Sequence, residues 1–133
     1  MNQRPNAPPG SPLDRLGHAE NDLTWALFGS EKKFLSKDIA CFHAQQAPEK
    51  ALKAVLKQNH VEFPFSHDLH LLTQACQKSK IALPIFYAEL DTLTPYAVSA
   101  RYPDAPGEPN PERFHRILEL AKLTVAWAKT AVA

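Results

Sequence analysis

The sequence predicts an all-α protein, an antiparallel up-and-down bundle of about five helices. Apolar residues recur at helical spacing in every long segment, and helix-start signals stand ahead of several of them. No segment sustains the period-two alternation of a half-buried strand. At 133 residues the chain can bury one substantial core, and a second domain is not expected.

The opening "MNQRPNAPPGSP" is rich in Pro, Gly and Asn and has no apolar periodicity. It reads as a flexible tail over residues 1–12, because it has too little to bury to offset its ordering entropy. The domain is then 13–133. Leu13, Leu16, Leu23, Ala26 and Leu27 place a first helix over about 13–28, with Gly29 of "FGSEKKF" as its stop. The second and longest helix begins near Ser36 and reaches about Asn59. "HVEFPFS" is extended, since the residue before Pro64 is pushed out of the helical region.

Ser66 is the expected N-cap of a third helix, "HDLHLLTQACQK", with Asp68 in its first turn where the dipole favours negative charge. Pro84 opens a fourth, "PIFYAELDTLTPYAVSARY", in which Thr94-Pro95 marks a kink or a restart. After "PDAPGEP", Asn110-Pro111 has the cap and first-turn chemistry of a last helix carrying Phe114, Ile117, Leu118, Leu120, Ala121, Val125 and Trp127.

At about 100° per residue the second helix divides into two faces. Ala44, Ala47, Pro48, Ala51, Leu52, Val55 and Leu56 share the side that a bundle buries, and His43, Gln46, Glu49, Lys50, Lys53 and Lys57 share the other. Gln45 falls roughly 20° from Leu52 on the apolar side, where a polar amide requires hydrogen-bond partners. Ile39 and Phe42 fall on the polar side and call for a partner helix or a second chain. Pro48 removes a donor and predicts a bend between His43 and Pro48, with a freed Ala44 carbonyl that either Gln45 or Gln46 could serve. The stripe of His43, Gln46, Lys50, Lys53 and Lys57 reads either as a solvated face or as a strip that binds phosphate, and Glu49 beside it weakens the second reading.

Fifteen Lys and Arg against fourteen Asp and Glu give no bulk attraction to nucleic acid or to an anionic membrane, so any such binding requires a local patch. Cys41 and Cys76 lie in apolar helical surroundings and read as buried free thiols. With no secretory signal and no run of about eighteen apolar residues, the expected setting is cytoplasmic, with no membrane partner. His67 and His70 of "HDLH" stand at a spacing that can ligate a metal, but no Cys, Asp or Glu pair completes a zinc pattern, so no metal site is expected. No phosphate loop or nucleophile motif suggests a cofactor. Arg101 and Tyr102 of "ARYPD" read either as a structural helix end or as a cation and a ring that meet a phosphate and a base.

Three stretches, "CFHAQQAPEKALKAVL", "EFPFSHDLHLL" and "LTPYAVSARYPD", in this order and spacing, resemble the HEPN domain family (higher eukaryotes and prokaryotes nucleotide-binding). The resemblance covers roughly residues 13–133. It implies a helical bundle that commonly forms homodimers, often with a minimal nucleotidyltransferase as partner in a toxin-antitoxin-like setting. The branches that are RNases carry an Arg followed about four to six residues later by a His. None of Arg4, Arg15, Arg101, Arg113 or Arg116 has one at that distance. The resulting expectation is a non-catalytic domain that binds nucleotide or RNA, or a nucleotidyltransferase. Its candidate binding residues are His43, Gln46, Lys50, Lys53, His67, Arg101 and Tyr102. The alternatives are an RNase or nucleotide-modifying enzyme using a set such as His43, Arg101 and His67, and a structural module that docks through Ile39, Phe42 or the Trp127 helix.

Overall fold

The computed structural model describes residues 7–32, 36–98 and 106–132. Helix α1 spans Pro12–Glu31, α2 Lys37–Gln58, α3 Leu69–Lys78 and α4 Pro111–Ala131, with a 3-10 helix at Tyr87–Ala97 between α3 and α4. No strand occurs among the described residues.

The last residues before α1 fold into its cap. Ser11 Oγ accepts from the Asp14 amide, and the Asp14 carboxylate accepts from the Gly10 amide at 2.8 Å. Arg15 Nε donates to the Gly10 carbonyl, and Gly10 sits at φ +78°, where a side chain would be strained. Gly29 does not stop α1. It lies inside the last turn, buried against Ala40, and the helix runs on to Glu31 because an isolated glycine lowers helix propensity without breaking the ladder.

α2 starts where expected, with Ser36 as its cap, and the helix is continuous through Pro48. Neither neighbouring glutamine serves the Ala44 carbonyl: Gln45 Nε2 donates to Glu49 and to the His67 carbonyl, and Gln46 Nε2 donates to Gln45. The cap of α3 also differs from the expectation. Asp68, not Ser66, accepts from the helical His70 amide, while Ser66 Oγ accepts from the Asp68 amide one step earlier.

The fourth element is a 3-10 helix where an α-helix was expected. Pro95 has no N–H for the Thr92 carbonyl three residues back, and Arg113 Nη2 of α4 donates to that carbonyl instead, at 3.1 Å. Leu90 and Leu93 are its buried anchors. Asn110 caps α4 by accepting from the Arg113 amide.

α2 is the central element and touches every other one. Gly29 meets Ala40 near one end of α1, while Asp22 meets His43 and Lys50 further along, so α1 and α2 are antiparallel. Lys37 at the start of α2 meets Phe114 near the start of α4, and Glu20 of α1 pairs with Lys129 near the end of α4. α4 therefore runs with α2 and against α1, the up-and-down order of a bundle. The core fills the space between them with Leu16, Leu52, Leu56, Leu69, Leu72, Ile117 and Leu120, all essentially without exposure.

Candidate functional site

The polar face of α2 is organised around two carboxylates. The first is Asp22, on α1 and only 8 % exposed. One of its oxygens accepts from His43 Nδ1 at 2.8 Å and the other from Lys50 Nζ at 2.6 Å. Burial pushes the Asp22 carboxyl upward, but the hydrogen bonds from His43 and Lys50 and the Lys50 charge outweigh it and hold the group below its ordinary range. Because an ionised carboxylate can only accept, the His43 proton sits on Nδ1, leaving Nε2 as the ring's second polar atom.

The second is Glu49, on α2 itself and buried. Its Oε1 accepts from Gln45 Nε2 at 3.1 Å and from His67 Nδ1 at 2.8 Å, and its Oε2 from Lys53 Nζ at 3.0 Å. Gln45 also donates to the His67 carbonyl and accepts from Gln46 at 2.6 Å. The connection from α2 to α3 is thereby held back against the middle of α2, which is why Glu49 and Gln46, placed by the wheel on the open side, are buried. The buried position of Gln45 and its need for partners agree with the wheel.

The expected strip thus comes together, but not as free cations. His43 and Lys50 converge on Asp22, and Gln46, Lys53 and His67 join the Gln45–Glu49 network. Arg101 and Tyr102 lie outside the described residues. His67 and His70 face different carboxylates, Glu49 and Asp91, and no cluster of three or more metal-ligating side chains occurs among the described residues.

The two lysines differ in access, while the His67 side chain on the Glu49 half is 67 % exposed. The Lys53 side chain is 14 % exposed over a closed Glu49, whereas that of Lys50 is 36 % exposed and His43 is partly open. Beside His43 stand aromatic rings that the sequence reading did not single out. Trp25 of α1 is 53 % exposed, with its ring centroid 6.5 Å from that of His43 at 31°, and Phe28 meets Trp25 edge-on at 5.9 Å. Ile39 is exposed on α2, and Phe42, half-buried, meets His43 edge-on. A tryptophan off the apolar stripe of α1 was the available signal. Nothing local in the sequence marks Asp22, whose partners are 21 and 28 residues away.

The fold and this face define a helical-bundle domain in which the central helix, with Asp22 of α1 and His67 of the α2–α3 connection, presents paired imidazoles, ammoniums and carboxylates. A family model, HEPN domain, matches residues 13–131, and the chain belongs to that family. No curated protein and no solved structure matched the chain. No described helix is long and apolar enough to cross a membrane.

Proposed function

We propose that this HEPN domain binds a nucleotide or RNA without cleaving it, at the open end of the α2 face formed by His43, Lys50 and Trp25. The observation that supports this is a partly open His43 that stands beside a half-exposed indole ring and shares Asp22 with a partly open Lys50. A cation and an imidazole can meet phosphate oxygens while an indole stacks on a base. Lys53 and His67 flank the site by holding Glu49, and Gln46 does so through Gln45. ATP, GTP and short RNA are the ligands to titrate. Lys50→Ala and Trp25→Ala should each weaken binding several-fold, with Lys53→Ala acting mainly on stability. Absence of saturable binding, or binding unchanged in Lys50→Ala and Trp25→Ala, refutes the site.

A second reading has an observation of its own. Trp25, Phe28 and Ile39 leave apolar surface open on neighbouring helices, which suits a protein contact. The contact would be a homodimer or a minimal nucleotidyltransferase in a toxin-antitoxin-like pair. Light scattering of Phe28→Ser and Ile39→Ser variants, and co-purification with a co-expressed nucleotidyltransferase, test it. A monomer that captures no such partner excludes this reading.

A further inference from the structure

The His43–Asp22–Lys50 cluster holds an anion of its own. Both groups that would meet a phosphate are already directed to Asp22, at 2.8 and 2.6 Å, and Asp22 is nearly closed to solvent while Lys50 and His43 are not. Resting on the nucleotide-binding reading of this face, we infer that Asp22 is a resident counter-anion and that phosphate binding here is coupled to proton uptake by His43.

The charge balance requires the coupling. With Asp22 ionised and His43 neutral, Asp22 and Lys50 cancel. The imidazole donates to Asp22 through Nδ1, so its Nε2 carries a lone pair and would meet a phosphate oxygen acceptor to acceptor. A proton on Nε2 makes it a donor and leaves the cluster with one net positive charge. The bound state therefore prefers the imidazolium, and by linkage affinity rises as pH falls. The groups facing His43 are Asp22 from α1 and the uncharged rings of Trp25 and Phe42. Lys50 reaches it only through Asp22, and Glu49 is engaged by Lys53 and His67. Among the described residues no charged side chain other than Asp22 forms an ion pair with His43. Asp22 touches no ligand in this scheme and acts as a positioning residue.

The test uses the whole chain and an oligoadenylate tetramer without terminal phosphates, whose charge is constant between about pH 5.5 and 8, with adenosine as the uncharged control. Affinity for the tetramer should rise about tenfold from the upper to the lower pH, and His43→Gln should flatten the profile. Asp22→Asn, which keeps the shape of the side chain, should bind about tenfold more tightly at the upper pH. Adenosine should respond to none of these changes. Calorimetry of the unaltered protein in buffers of different ionisation enthalpy should show about half a proton taken up per tetramer bound at the steepest part of that rise, a readout that needs no variant. Tetramer binding that is independent of pH, that takes up no proton, or that is unchanged or weakened by Asp22→Asn overturns the counter-anion while leaving the binding site standing. No binding of tetramer or ATP by either protein at any pH overturns both.

Discussion

Gln45 shows at residue scale how a polar side chain becomes part of a core. It is fully buried, and its amide bridges Glu49, the His67 carbonyl and Gln46. Gln45→Leu preserves volume but strands three polar groups, so a loss of about 1–3 kcal/mol is expected in urea unfolding. A neutral result would mean that water replaces all three bonds. The two cysteines present the opposite case. Burial pushes the Cys41 thiol up to about 12, with Asp38 and Glu108 adding to the effect, and burial alone pushes Cys76 to about 11. Thiolate is the reactive form, so neither should react with an aromatic disulfide reagent at about pH 8 until the chain is unfolded. Rapid labelling of either in the native protein would contradict its enclosure.

At the scale of elements, legibility followed the range of the interaction. The start of α2 at Ser36 and of α4 at Asn110 could be read because a cap is a contact across three residues. The apolar side of α2, from Ala44 to Leu56, could be read because periodicity is local too. The 3-10 helix could not. Its apolar spacing suits both helix types, and what satisfies the Thr92 carbonyl is Arg113, 21 residues away. The burial of Glu49 was hidden for the same reason, since it depends on His67 folding back from the next connection. A 3-10 helix of 11 residues is unusually long for its poorer hydrogen bonding, so tertiary packing must hold it. Leu90→Ala or Leu93→Ala should then cost about 2–5 kcal/mol, as for other fully buried leucines. Gly29 in the last turn of α1 invites the reverse change. A Cβ there would meet the Ala40 Cβ at 3.4 Å, ordinary contact, so Gly29→Ala should raise stability by about 0.5–1 kcal/mol in thermal unfolding. A loss would show that the α1–α2 crossing tolerates no added atom.

For the whole molecule, the most extensive helix pairing is that of α1 with α2, and Asp22 is the charge that ties the two together at mid-length. The pairing therefore carries a pH dependence whose sign can be worked out. Asp22 is held below its ordinary range, because the hydrogen bonds from His43 and Lys50 outweigh the cost of burial. A carboxyl that is more acidic folded than unfolded contributes stability that is fully present above the unfolded value. That contribution is lost as pH falls through the folded one. Wild type should accordingly be more stable than Asp22→Asn near neutrality. The difference should shrink once acid protonates Asp22, since the neutral carboxyl then resembles the amide in charge and shape. Paired urea unfolding curves at about pH 7 and about pH 3 measure this directly. A gap of equal size at both values would mean that Asp22 stabilises the α1–α2 pair through its shape and hydrogen bonds, and not through its charge.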